Sequence, residues 1–233
     1  MTGFVPGGPG PRAAYPMVHK AVMQGDFASF LPGGGLIDGA KSRDANNTIS
    51  PLLLNPGLLM GQVTATKRWA PSIIGINQSA YTSGGTSLTV TAAQAAEIVR
   101  RVGATGNLLY IGPPAAAGTV AVLGPIAYSA INTGTGVITT STLGANLIAG
   151  GFVAENDGTA LPKSFIFDGT GHIISLDSAN VPTYSEWPQI PVAGIVNSSK
   201  LSPWPTDTSL QAWVMAQLST ASGGKFVFSK AYE

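Results

Sequence analysis

Few side chains in this sequence have the groups that catalysis needs. There are two histidines and no cysteine among 233 residues, so the usual general base is scarce and thiolate chemistry is excluded. Asp168 and His172 flank a Gly-Thr-Gly turn and can in principle orient a serine, as in a hydrolytic triad. The chain has no Gly-x-Ser-x-Gly nucleophile elbow, however. We therefore interpret Asp168 as a turn residue and His172 as the first residue of a strand.

Patterns that bind metals or phosphates are equally weak. His19 and His172 are isolated, which does not match the ligand spacing of a zinc site. Glu155 and Asp157 offer oxygens to a cation, but the rest of a calcium loop is missing. The Gly-Thr-Gly at 134–136 does not join a strand to a helix with a lysine, as a phosphate loop does. We predict no catalytic residue, no metal and no cofactor.

The composition points to a protein whose surface is covered by partners. Only 10% of the residues are charged and the net charge is +1, whereas about a quarter of the residues are charged in ordinary soluble domains. The only adjacent basic pairs are Lys67–Arg68 and Arg100–Arg101, so the basic stripe that binds nucleic acid is not formed. No apolar run is long enough for a membrane span, and the N-terminus lacks the pattern of a secretory signal.

Residues 1–50 are predicted to form an extended arm. Gly/Pro runs at 6–11 and 32–35 interrupt regular structure, yet the arm is too apolar for a solvated linker. Its apolar side chains must therefore be buried against the body or against a neighbouring protein. The residues that we expect to make this contact are Phe4, Val5, Tyr15, Met17, Val18, Phe27, Phe30 and Leu31.

The rest of the chain predicts a mainly β fold with a few short helices, as a β-sandwich or barrel-like body. The body covers 51–180, and alternation over 59–66 predicts a half-buried strand that ends at Lys67-Arg68-Trp69. A helix at 91–102 has a capping box formed by Thr91 and Gln94, and an apolar face of Ala92, Ala95, Ala96, Val99 and Val102. The C-terminal segment, 181–233, holds a helix at 208–218 with a second capping box, Thr208 and Gln211, and a closing strand at 225–229.

The tryptophans are predicted to be core residues or anchors of subunit contacts. Trp69, Trp187 and Trp204 are the candidates for subunit contacts, since aromatic residues often contribute most of the binding energy of an interface. An aromatic next to two cations can also stack on a base or a sugar. We favour a strand end with solvated Lys67 and Arg68 above a packed Trp69.

The order of these features resembles tailed-phage head decoration proteins, the capsid cement class of the lambda type. After the arm comes "GLLMGQVTATKRWAPS", similar to a Gly-x-x-x-Gly-x-Val-Thr-Ala-Thr strand of this class. The segments "LTVTAAQAAEIVRRVGATGNLLYIGPPAAAGTVAV" and "INTGTGVITT" resemble a module inserted in its longer members. "LIAGGFVAENDGTALPKSFIFDGTGHI" and the end "SLQAWVMAQLS…FVFS" resemble later segments, so that the resemblance covers roughly residues 51–233.

This resemblance implies a non-enzymatic homotrimer on the outer surface of an icosahedral phage head, made in the host cytoplasm. Its partners would be the major capsid protein and itself, with no direct contact to nucleic acid or membrane. The arm would add to a sheet edge of the shell protein. Such a protein holds neighbouring capsid subunits together against the pressure of packaged DNA.

Two other classes of function remain as hypotheses. A surface carbohydrate-binding or adhesin module would need exposed aromatic residues, such as Trp69, Tyr81 and Tyr184, clustered in an open groove. A tail-associated hydrolase would need paired carboxylates, for which Glu155 and Asp157 are available. We rank the hydrolase last because these two carboxylates lie in a predicted turn.

Overall fold

The computed structural model describes residues 22–45, 47, 49–112, 120–167 and 171–229. Strands hold 37% of the residues and helices 15%, and curled sheets form half-barrels, so the predicted mainly β fold class is confirmed. The strands are β1 (Met23–Phe30), β2 (Gly35–Ile37), β3 (Leu53–Leu54), β4 (Leu59–Gln62), β5 (Trp69–Pro71), β6 (Gly75–Ile76), β7 (Ser87–Thr89), β8 (Gly106–Gly112), β9 (Ala121–Ile131), β10 (Val137–Thr140), β11 (Phe152–Glu155), β12 (Ser164–Phe165), β13 (His172–Ile173), β14 (Ser185–Trp187), β15 (Pro191–Asn197) and β16 (Phe226–Ser229). The helices are α1 (Ala92–Arg101), a 3-10 turn (Ser198–Lys200) and α2 (Thr208–Ser222).

The largest sheet has six strands in the order β6-β11-β8-β9-β10-β7, and every pair is antiparallel. Ala95 and Ile98 of α1 pack with Tyr110 and Ile138 of this sheet in one apolar cluster. Tyr110 is fully buried, and its hydroxyl donates to the Ile148 carbonyl at 3.1 Å. Burial of this hydroxyl raises the pKa of Tyr110, so the ring stays neutral as a structural residue.

The other sheets bring distant parts of the chain together. A five-stranded sheet has the order β12-β4-β5-β2-β14, and β13 pairs with β3. A three-stranded sheet has the order β1-β15-β16, in which β15 and β16 are parallel. Parallel strands need a crossover connection, and α2 supplies it. Its buried residues Leu210, Val214 and Leu218 pack with Phe226 of β16 in a second apolar cluster.

The N-terminal ends of α1 and α2 show which of the two predicted capping boxes forms. Thr91 and Gln94 form the predicted capping box of α1, which confirms that part of the prediction. The predicted apolar face is right for Ala95, which is buried, and for Val102, which packs on the same cluster. It is wrong for Ala92 and Ala96, which are exposed, and it misses the buried Ile98 and Arg101. The capping box of α2 is also wrong. Its N-cap is Asp207, and Gln211 instead donates to the Pro205 carbonyl.

We expect Asp207→Ala to lower the free energy of unfolding by about 1 kcal/mol, the usual cost of losing an N-cap. The Asp207 carboxylate accepts from the Leu210 amide at 2.9 Å, and this amide loses its partner in the variant. The measurement is urea denaturation followed by circular dichroism. Thr208→Ala is the control, since Thr208 is exposed and is the cap that the sequence predicts. Equal losses in the two variants would show that the Asp207 cap has no special role.

Two β predictions need correction. The predicted half-buried strand at 59–66 is wrong in both length and burial. Strand β4 ends at Gln62, and its first three residues, Leu59, Met60 and Gly61, are all buried. Strands β4 and β5 form a hairpin, with Gln62 opposite Trp69, so both faces of β4 lie inside the body. The predicted turn at Glu155 and Asp157 is right only for Asp157, because Glu155 is the last residue of β11 and the turn begins after it. This turn leads from the six-stranded sheet to β12 in the five-stranded sheet.

The predicted arm is wrong for its second half. Strand β1 pairs antiparallel with β15, with Met23 opposite Val196, and β2 lies inside the five-stranded sheet. Val22 and Ile37 are 1% and 0% exposed. These side chains bury apolar area against the chain's own body, so residues 22–45 belong to the body and only residues 1–21 are left for an arm.

Candidate functional site

Five residues from four parts of the chain form one polar network beside the C-terminal end of α1. They are Lys41, Arg101, Glu155, Asp157 and Thr159, and we call them the Lys41 cluster. Lys41 follows β2, Arg101 is the last residue of α1, Glu155 ends β11, and Asp157 and Thr159 lie in the turn that follows. The network therefore connects the N-terminal part of the body to the six-stranded sheet.

Arg101 is the most deeply buried member, with a side chain that is 0% exposed. Its Nε donates to Glu155 Oε2 at 2.6 Å, and its two terminal nitrogens donate to the Pro71 carbonyl at 2.7 Å and to Thr159 Oγ1 at 2.8 Å. A buried guanidinium is stable only when its charge and its donors are paired. These three acceptors meet that requirement and fix the side chain of Glu155.

Lys41 lies between the two carboxylates. Its ammonium group contacts Glu155 Oε1 and lies 2.8 Å from Asp157 Oδ2. The other oxygen of Asp157 accepts from the Thr159 amide at 3.0 Å and from the Thr159 hydroxyl at 2.6 Å. Burial raises the pKa of Asp157, but the hydrogen bonds from Lys41 and Thr159 outweigh it, and the pKa lies below its ordinary value. The resting state is therefore an ammonium–carboxylate pair.

A neighbouring arginine reinforces the same junction. Arg100 binds Glu97 through two nitrogens, at 2.7 and 2.5 Å, and its third nitrogen donates to the Ala40 carbonyl. Arg100 and Arg101 lie in the last turn of α1, where the helix dipole favours cations. They also hold the segment before Lys41 and the turn after β11 against the end of α1.

His172, the candidate catalytic histidine, contacts Ser185, which no sequence motif indicated. His172 Nε2 lies 2.9 Å from Ser185 Oγ, and this oxygen is also 3.3 Å from the Ile173 carbonyl. Ser185 is only 4% exposed, so a substrate cannot reach it in this conformation. Asp168 and His19 lie outside the described residues. Over the described ranges, no three His, Asp or Glu side chains come together as a metal site.

The aromatic candidates do not form one open groove. Trp69 and Trp187 are 8% and 2% exposed and pack edge-to-face with their ring centroids 5.3 Å apart, so both are core residues of one chain rather than exposed anchors for a subunit contact. Trp204 is half-buried and packs against the apolar cluster formed by α2 and Phe226. Tyr81 packs on a different cluster, and Tyr184 is covered on one face by Arg68, whose guanidinium carbon is 3.6 Å from the ring centroid.

Three of the residues that were predicted to make the arm contact lie among the described residues: Phe27, Phe30 and Leu31. Phe30 is half-buried against Phe167, with ring centroids 5.1 Å apart, and Leu31 is 38% exposed at the end of β1. Phe27 lies within β1, and Phe30 is likewise part of the body. The remaining predicted contacts lie outside the described residues: Phe4, Val5, Tyr15, Met17 and Val18.

Several charged side chains of the described body are buried. Asp38, Asp44, Glu97, Arg101 and Glu155 are all buried. The sequence from 102 to 154 contains no Asp, Glu, Lys, Arg or His. The solvent-facing side chains of β9 and β10 are consequently uncharged. They include two large apolar ones, Val122 and Val137, which are 45% and 38% exposed. We call this region the uncharged β9–β10 surface.

Comparisons with known proteins returned no relative. No protein-family model, no curated protein and no solved structure matches this chain. Within the described part of the chain, none of the helices combines the length and apolar character needed to cross a membrane.

Proposed function

We propose that this protein is a non-enzymatic structural component of a phage virion. It binds the outside of an icosahedral head as a homotrimer and cements neighbouring major capsid subunits. The observation that carries the proposal is the distribution of charge. A chain with only 10% charged residues buries five of them and leaves the β9–β10 surface uncharged, and interface cores are depleted of charged residues.

The polar groups of the body support the same proposal. Lys41, Arg101, Glu155 and Asp157 bind one another, with side chains that are at most 25% exposed, and Ser185 is buried. These are the groups that a hydrolase would need to expose to a substrate. Here they act as ties within the body, a use that suits a structural component.

The capsid contact is assigned to residues 1–21, which is shorter than the arm that the sequence predicts. The chain enters the described body at Val22, whose carbonyl accepts from the Asn197 amide at 2.8 Å at the end of β15. The apolar residues before it include Phe4, Tyr15 and Val18, which suit the pockets beside a sheet edge to which a strand is added. Binding only to the intact shell stabilises the shell by linkage.

We expect a variant lacking residues 1–21 to stay folded and trimeric but to bind phage heads about a hundredfold more weakly or worse, a loss of about 2.7 kcal/mol. Co-sedimentation with expanded heads that lack the protein measures the binding, and light scattering measures the mass of the oligomer. A trimer has three times the 23.7 kDa mass of the chain.

A longer deletion provides the contrast. Removing residues 1–37 also removes β1 and β2, together with buried Val22 and Ile37, so we expect that variant to be unfolded. Undiminished head binding by the variant that lacks residues 1–21 would contradict the assigned contact. A monomer in light scattering of the full-length protein would contradict the trimer.

A further inference from the structure

The geometry of the Lys41 cluster points to a covalent bond: we infer that Lys41 Nζ and Asp157 Cγ condense spontaneously in the folded protein to form an intramolecular amide. The amine and the carboxylate are already in contact, with Nζ 2.8 Å from Asp157 Oδ2. Holding two reactants together in one orientation replaces a bimolecular reaction by a far faster intramolecular one. No other reactant is needed.

Two donors lie where negative charge would develop. When an amine adds to a carboxyl carbon, one oxygen of the tetrahedral intermediate becomes an oxyanion. Asp157 Oδ1 accepts from both the amide and the hydroxyl of Thr159, at 3.0 and 2.6 Å. The Thr159 hydroxyl in turn accepts from Arg101 at 2.8 Å, which polarises it. The arrangement resembles an oxyanion hole built by one residue.

Glu155 is placed to move the protons. Its Oε1 contacts Lys41 Nζ, and its Oε2 is held by Arg101 Nε at 2.6 Å. The nucleophile must be the neutral amine and the electrophile must be the protonated carboxyl group. One proton of the Lys41 ammonium therefore passes through Glu155 to Asp157 Oδ2 before the amine adds to Cγ. Arg101 acts through Glu155 and Thr159 and is a positioning residue. The side chains of Glu155 and Asp157 are only 10% and 16% exposed, which limits access of water that would hydrolyse the product.

The step balances without any further reactant. The Lys41 amine forms the N–Cγ bond, and the Cγ–Oδ2 bond of Asp157 breaks. Oδ2 leaves as water with two protons that both come from the Lys41 ammonium and pass through Glu155, which ends as the carboxylate again. One positive and one negative charge disappear, and the buried Arg101–Glu155 pair remains neutral overall.

The bond would tie the segment after β2 to the turn after β11, two points 116 residues apart in the sequence. It would close a covalent loop that contains α1 and all six strands of the largest sheet. A cross-link over a long loop restricts the unfolded chain strongly. This inference concerns the chain itself and holds whether or not the protein binds a phage head.

Intact mass spectrometry of the full-length, denatured protein tests the bond. We expect the purified protein to be lighter than its sequence mass by one water molecule, and tryptic peptides containing Lys41 and Asp157 to appear as one branched species. Lys41→Arg keeps a cation beside both carboxylates but cannot form the amide, so it should have the full sequence mass. Lys225→Arg, at an exposed position, is the matched control and should keep the loss.

Glu155→Gln tests the proton transfer. It removes the charge partner of buried Arg101, so the variant should be less stable than the wild type. Under conditions in which it is folded, it should form the bond about a hundredfold more slowly or worse, which is the usual contribution of a general base. The time course of water loss after refolding is the measurement.

Two results would overturn the inference. One is a wild-type chain that keeps its full sequence mass after prolonged incubation. The other is a water loss that persists in Lys41→Arg or maps to a linear peptide, because Asp157-Gly158 can also lose water by closing a succinimide on its own backbone. If Lys41→Arg does not fold, the peptide map of the wild-type protein decides alone between a branched and a linear product.

Discussion

Arg101→Ala is expected to lower the free energy of unfolding by about 3–5 kcal/mol, the cost of breaking a buried ion pair by removing one partner. The substitution leaves Glu155 buried with one fewer cation and leaves the Pro71 carbonyl and the Thr159 hydroxyl without their shared donor. Equilibrium denaturation in urea, followed by tryptophan fluorescence, measures the change.

The comparison needs two controls. Lys225 is an exposed cation directly before β16, and Lys225→Ala should change the stability by no more than about 0.5 kcal/mol. The Arg101→Ala loss should also be measured in the Lys41→Arg background, where no amide can contribute. A loss below about 1 kcal/mol in that background would show that the buried pair is only a minor source of stability.

Gly61→Ala is expected to destabilise the body by about 3 kcal/mol, at the upper end of the usual cost of overpacking. A Cβ at this position would lie 2.0 Å from the Thr159 carbonyl oxygen, and the next two nearest atoms also belong to the Thr159 backbone. Backbone atoms inside a packed body cannot move aside as a flexible side chain can. The change also displaces the turn that holds Asp157, so the yield of the water-loss product should fall with the stability.

Gly144→Ala is the matched control for this glycine. No heavy atom lies within 4 Å of a Cβ built on Gly144, and its backbone has no positive φ. We expect this variant to be as stable as the wild type, or slightly more stable because alanine restricts the unfolded chain. Thermal unfolding of both variants side by side is the measurement. Equal melting temperatures for the two would show that the contact with Thr159 is relieved at no cost.

Gly61 has a structural role within the stretch "GLLMGQVTATKRWAPS". The motif forms β4 and β5, and its second glycine lies where the turn of the Lys41 cluster crosses the strand. A glycine is required there by the close approach of two backbones, not by its dihedral angles. The sequence alone placed this motif on a strand but could not indicate what crossed it.

Local features were readable from the sequence because their partners lie within a few residues. The capping box of α1 joins Thr91 to Gln94, and the turn between β9 and β10 is closed by Asn132 Oδ1, which accepts from the Gly134 and Thr135 amides. The composition likewise predicted a mainly β fold, because glycine and proline are frequent and long apolar helices are absent. The α2 cap was misread by one residue because Asp207 and Thr208 are both good N-cap residues.

Only the tertiary structure shows which part of the predicted arm belongs to the body and which residues form the Lys41 cluster. Residues 22–45 are as apolar as residues 1–21, and only the pairing of β1 with β15 distinguishes them. Glu155 and Asp157 were candidates from the sequence, whereas Lys41, Arg101 and Thr159 were not. Lys41 is 114 residues from Glu155 along the chain, and Arg101 is 54 residues from it. Periodicity and capping report on neighbours along the chain, whereas these contacts arise only when separate sheets pack together.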